Sequence, residues 1–172
     1  MAEALARITE LADLGMIQIR ADLGGAGDAI RGATGLAVPA PVSTVGDGTR
    51  TLVWMSPDEL LLVLPAADTA QALAALTQAL APHHALVLDV GDMRRAFAVE
   101  GPRAAQVLMK LSPADIASMP PDGARRSRAG QVACGIWRTG EGFVVIGFRS
   151  VGDYIAGLLQ GAARVGSQLD PR

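Results

Sequence analysis

Few residues in this 172-residue chain have the type and spacing to do chemistry. Asp89 and Asp92 are the most suggestive. They sit in Leu86-Val87-Leu88-Asp89-Val90-Gly91-Asp92, with Arg94 and Arg95 close behind. Two carboxylates in different surroundings could divide general-acid and general-base roles. The same residues equally suit a turn in which Asp89 accepts hydrogen bonds or pairs with an arginine across it, and that reading is preferred. His83-His84 could ligate a metal, but neighbours on an extended segment point to opposite sides. The chain has no other histidine, and Cys134 adds no ligand pair of recognised spacing. Cys134 lies in an apolar run, where a free cysteine is usually a small buried hydrophobe rather than a nucleophile. Gly25-Ala26-Gly27 after a strand invites a dinucleotide-binding reading, yet Ile30 stands where the third glycine belongs. Arg125, Arg126 and Arg128 make a short basic run at the start of a strand, a pattern that is normally solvated. Catalytic, cofactor-binding and metal-binding residues are accordingly all expected to be none, which favours a non-catalytic subunit or binding module.

The elements that would position these residues follow from periodicity. Residues 4–14 place Leu5, Ile8, Leu11 and Ala12 on one helical face, a short amphipathic lead-in. Residues 16–22 alternate apolar and polar, a half-buried strand. Residues 23–27 break it, and Asp28–Ala33 reads as a weak helix. Residues 35–49, rich in Gly and Pro, read as a loop. Strands at 51–55 and 59–64 flank the turn Ser56-Pro57-Asp58, and Asp68 or Thr69 caps a helix through Leu80. Strands follow at 85–90 and 95–100. Pro102 opens a helix to about Leu111, and 112–124 is an irregular loop. A hairpin spans 131–149, and a last helix begins near Ser150.

After residue 15 this order is β-α-β-β-α-β, then β-α-β-β-α. An offset of 80 puts Ile17 and Ile19 over Phe97 and Val99, Leu52 over Val132, and Leu76 near Ala156. Each half fits the split β-α-β pattern of ferredoxin-like modules. The expected fold is therefore α+β, with antiparallel sheets covered by helices. Residues 1–172 would form one domain built of two halves, about 16–91 and 94–165.

Composition narrows the function classes. Half of the residues are hydrophobic and 19% are charged, which excludes disorder. A net charge of −2 lacks the basic excess that binding to nucleic acid or an anionic membrane surface requires. An aromatic content of 3% leaves little for base stacking. One cysteine excludes an internal disulfide. Charged residues interrupt the N-terminal apolar positions, so no signal peptide is expected, and a cytoplasmic location follows.

Several motifs resemble the sarcosine oxidase gamma subunit family. The run from Leu88-Asp89-Val90-Gly91-Asp92 through Gly101-Pro102-Arg103-Ala104-Ala105 is similar to its central segment. Leu111-Ser112-Pro113-Ala114-Asp115-Ile116 looks like the stretch after it, without that family's cysteine. Leu52–Leu62 resembles its Pro-Asp-Glu hairpin, and Arg149-Ser150 with Tyr154, Ile155, Leu158 and Leu159 resembles the opening of its last helix. The resemblance covers about residues 16–160. It implies a subunit of an oxidoreductase complex that demethylates sarcosine to glycine with transfer to tetrahydrofolate, a step of one-carbon metabolism. It also implies an aminomethyltransferase-like fold and a partner alpha subunit, with beta and delta subunits completing the heterotetramer. FAD, FMN, NAD and zinc would reside on those other subunits, with no cofactor on this chain. The alternative is a free-standing folate-binding or aminomethyltransferase-like protein, using Asp89 or Asp92.

Overall fold

The computed structural model describes residues 4–140 and 142–169. The first element departs from expectation. The lead-in at 4–14 is not a helix but strand β1 (Arg7–Leu11), antiparallel to a strand some ninety residues later. Tertiary pairing overrides the local helical spacing: Leu5 and Ala6 are buried, and Arg7 meets Glu100 at 2.6 Å.

The chain divides into two units, Asp13–Asp92 and Met1–Ala12 with Met93–Arg172. The first unit holds β2 (Leu14–Arg20), α1 (Leu23–Thr34), β3 (Thr44–Gly46), β4 (Thr51–Ser56), β5 (Glu59–Pro65), α2 (Thr69–Ala79) and β6 (Leu86–Asp89). Its antiparallel sheet runs β3-β4-β5-β2-β6. Ile17, Ile19, Leu52, Leu60, Leu62 and Leu64 share one sheet face, and Ile30 of α1 and Leu76 of α2 pack against it. Each of these buried side chains contributes about 1.5–3 kcal/mol. Three local readings are corrected. The strand ends before residues 23–27 as expected, but the helix begins at Leu23 rather than Asp28, because Asp22 caps α1 and accepts from Gly24 N at 3.1 Å. The loop at 35–49 contains the short edge strand β3. Asp68 makes no side-chain cap to α2, which a 3₁₀ turn at Ala66–Asp68 precedes instead.

The second unit adds β7 (Arg94–Glu100), α3 (Ala104–Met109), β8 (Ala124–Ala129), β9 (Val132–Thr139), β10 (Gly142–Phe148) and α4 (Gly152–Ala162). Its sheet runs β1-β7-β10-β9-β8. Phe97, Val99, Ile136 and Val145 form the sheet side of its core, with Val107 of α3 and Ile155 and Leu159 of α4 above them. Gly147 of β10 lies beneath Ile155, and a Cβ there would stand 2.2 Å from Ile155 Cδ1. The chain's sole lysine, Lys110, closes the C-terminus of α4. Its Nζ donates to Ala162 O, to Ser167 O at 2.7 Å and to Ser167 Oγ at 2.9 Å.

The two sheets repeat one plan. β7 begins 80 residues after β2 and β8 begins 80 after β3. From there the offset drifts: β9 begins 81 after β4, and its two extra residues make β10 and α4 each begin 83 after β5 and α2. The equivalent of Leu76 is therefore Leu159 rather than a residue near Ala156, and both are fully buried. The fourth strand of the ferredoxin-like order is β6 in the first unit. In the second unit β1 takes that place, although it comes first in the chain.

Candidate functional site

The segment from Asp89 to Arg95 is where chemistry was most suggestive, and its side chains diverge. Asp89 ends β6, is exposed, and accepts from Gly91 N at 2.9 Å. This is the turn role preferred on sequence grounds. Arg95, a candidate to pair across that turn, goes elsewhere. Its guanidinium grips Glu10 of β1 in a two-pronged contact at 2.7 Å and reaches Asp153 Oδ1 of α4 at 2.7 Å. It also stacks over the Phe97 ring, 5.5 Å from its centre. The hydrogen bonds from Arg95 hold the Glu10 carboxyl below the usual carboxylate range. Arg94 lies over Phe148 at 5.2 Å. Nothing in the sequence linked Glu10 to Arg95, because residues 4–14 read as a helix.

The other candidates are also placed by the fold. Gly25 lies inside α1, where a Cβ would stand 2.9 Å from Asp22 Oδ2. The helix N-terminus is thus already occupied by a carboxylate, and both strands beside β2 run antiparallel to it, where a dinucleotide-binding unit has a parallel crossover. Cys134 is buried in β9, where desolvation pushes its thiol up to about 12, the opposite of a nucleophile. Among the described residues no three His, Cys, Asp or Glu side chains are grouped to hold a metal ion. Arg125, Arg126 and Arg128 form β8, an edge strand of its own, which ends where Gly130 turns with a φ of 58° into β9.

What the fold does assemble lies around β6. Register pairs Leu88 with Gln18 and Leu86 with Arg20, so these four side chains share the sheet face away from α1 and α2. Gln18 donates to buried Glu59 at 2.7 Å, and Arg20 meets Asp58 at 2.5 Å. Hydrogen bonds from Ser56 Oγ and Arg20 keep the Asp58 carboxyl below its usual range. Arg20, Asp22, Asp58, His84 and Leu86 line a cleft of about 710 Å³ beside this row. His84 thus stands in the wall of this cleft. Glu59 escaped the sequence reading, because a carboxylate at the start of an apolar run looks like a solvated turn residue.

Residues 20–165 match the sarcosine oxidase, gamma subunit family. This chain belongs to that family. The sarcosine oxidase subunit gamma of Corynebacterium sp. (strain U-96) is 35% identical over 144 residues, covering 81% of this chain and 69% of the relative. The heterotetrameric sarcosine oxidase of Corynebacterium sp. U-96, solved with pyrrole 2-carboxylate, superposes with a TM-score of 0.87 at 28% identity. That match covers 97% of this chain and 88% of the other. The glycine cleavage system aminomethyltransferase T of Bartonella henselae shares the fold, with a TM-score of 0.68 at 17% identity, over 93% of this chain and 46% of its own. The gamma-subunit motifs fall on elements that carry structure. The run from Leu88 to Ala105 spans the end of β6, all of β7 and the start of α3, and Leu52–Leu62 is the β4–β5 hairpin. Among the described residues no helix is long and apolar enough to cross a membrane.

Proposed function

We propose that this chain is the gamma-type subunit of a heterotetrameric sarcosine oxidase, docking on and stabilising the alpha subunit, with beta and delta subunits completing the assembly. The observation that carries this is the superposition of nearly the whole chain on such an oxidase. The complex would oxidatively demethylate sarcosine to glycine and pass the one-carbon unit to tetrahydrofolate. FAD, FMN, NAD and zinc belong to the other subunits in this reading, and residues 16–91 and 94–165 act together as one domain that supplies no catalytic, cofactor or metal residue. The separation of Asp89, in a turn, from Arg95, in a scaffold ion pair, supports that division of labour. A cytoplasmic location is part of the proposal, and a single buried cysteine is compatible with a reducing compartment.

Co-expression with the alpha-type subunit followed by gel filtration tests it. Co-elution at a fixed ratio is expected, and separate elution would refute it. Micromolar binding of tetrahydrofolate to the isolated chain, lost in Asp89→Asn, would instead make the chain a folate-binding protein in its own right.

A further inference from the structure

Four strands end the two sheets: β1 and β8 in one unit, β3 and β6 in the other. An edge strand offers unpaired N–H and C=O groups to any other chain, and proteins normally guard such edges with charge or brevity. Three of the four are guarded. β1 carries the ion-paired Arg7 and Glu10, β8 carries three arginines, and β3 has only three residues. β6 reads Leu86-Val87-Leu88-Asp89, with no charge before its last residue. Leu86 and Leu88 are each 45% exposed on the same face. The Val90 N–H donates to Met16 O at 2.8 Å, and antiparallel hydrogen-bonded pairs recur at every second residue. Leu86 and Leu88 therefore turn their amides toward β2, and Val87 and Asp89 turn theirs outward. Beside this strip Asp22 and Asp58 line the cleft with Arg20, which is paired to Asp58, so acidic groups outnumber arginine there two to one.

We propose that an extended segment of the alpha-type subunit pairs with the outer edge of β6. Its alternate apolar side chains would cover Leu86 and Leu88, and a lysine or arginine would face the acidic rim formed by Asp22 and Asp58. Strand addition satisfies the outward amides, and the side-chain pockets beside it set specificity. The acidic rim selects a basic segment and speeds encounter. This proposal rests on the gamma-type reading above and adds to it the docking surface and the chemistry of what docks.

The test uses the co-expressed complex. Leu86→Lys with Leu88→Lys changes two exposed side chains and leaves the free chain's circular dichroism and melting temperature unaltered. It is expected to weaken binding to the alpha-type subunit at least about 30-fold, the scale of losing one interface hot spot. Met109→Lys, exposed on α3, leaves binding unchanged. In the wild-type complex, the Val87 and Asp89 amides exchange at least about tenfold more slowly than in the free chain. This measurement decides the matter even where the double variant fails to fold. Wild-type binding also weakens as salt rises. Wild-type co-elution combined with full binding by the folded double variant, or with unprotected Val87 and Asp89 amides, overturns the β6 edge while leaving the gamma-type reading intact. Failure of the wild-type chain to co-elute overturns that reading and this proposal with it.

Discussion

Gly147 provides a sharp test of how the second unit is packed. It pairs with Arg95 across β10 and β7, and the space above it is filled by Ile155, which is fully buried. In Gly147→Ala the new methyl group would stand 2.2 Å from Ile155 Cδ1, far inside van der Waals contact, while Ile155 Cγ1 at 3.8 Å and Ala133 O at 3.7 Å are ordinary neighbours. Overpacking of this kind costs about 1–3 kcal/mol. Replacing a strand glycine restricts the unfolded chain and returns about 0.4–1 kcal/mol. The single variant should therefore lose roughly 0–2.6 kcal/mol, about 1.3 at the middle of both ranges. Ile155→Val removes the one clashing carbon and alone costs about 0.5–1.5 kcal/mol for the cavity it leaves. In the double variant the alanine methyl occupies that cavity, so the two losses do not add. Stability should return to within about 1 kcal/mol of wild type, a favourable coupling of about 1–2 kcal/mol. Urea unfolding followed by Trp137 fluorescence, in a Trp54→Phe background, reports on this unit because Trp137 is a buried residue of β9. Additive losses in the double variant would refute the reasoning, since they would show that backbone adjustment, and not the Cδ1 clash, limits residue 147.

Two further outcomes follow from local electrostatics and burial. Asp47 accepts from Thr49 N and Arg50 N and is paired with the Arg50 side chain, and the two backbone hydrogen bonds do most to bring its carboxyl down to about 2. A lowered folded pKa means this contribution is fully present above the unfolded value near pH 4 and is lost as pH falls through about 2. A pH titration of stability should therefore have a shallower acid limb in Asp47→Asn, and NMR titration of the Asp47 carboxyl should find its midpoint near 2. Cys134, with its thiol raised to about 12, should resist a chromogenic disulfide reagent at pH 8 in the native protein and react fully in urea.

The sequence was most legible where short-range chemistry decides the structure. Period-two alternation marked β2, and Pro57-Asp58 marked the β4–β5 hairpin, whose register closes with Ser56 opposite Glu59. Repeated element order marked the ferredoxin-like plan. It failed where the deciding partner lay far along the chain. Leu5, Ile8 and Leu11 fit a helix as well as a strand, and only pairing with Val99 and Ala96 settles that β1 is extended. Arg95 looked like a partner for its neighbour Asp89, yet its carboxylates come from positions 10 and 153. The constant offset of 80 failed for a smaller reason: one more residue enters before β9 and two within it, a lengthening that keeps the strand's faces, and together they carry Leu159, not Ala156, to the place of Leu76.

The placement of β1 also has a kinetic consequence. Leu11 and Ala96 are register partners yet stand 85 residues apart in the chain. Closing a loop of that length directly is entropically slow. The first unit shortens it. Within that unit Ile17 pairs with Asp89, so once β2 and β6 are joined the chain enters and leaves the unit at adjacent points. Only about a dozen residues then separate β1 from β7. With closure entropy scaling as (3/2)RT ln n, the reduction from 85 residues to about 12 removes roughly 1.7 kcal/mol from the cost of pairing β1 with β7. Folding should therefore proceed from the first unit to the second. Pulse-labelled hydrogen exchange should protect the amides of Ile17 and Leu62 before those of Phe97 and Val145. Ile19→Asn, which places an unsatisfied amide in the first core, should slow protection in both units. If Phe97 and Val145 are protected first, or if Ile19→Asn leaves the second unit's rate unchanged, then β1 finds β7 without help from β2 and β6, and the loop-shortening argument fails.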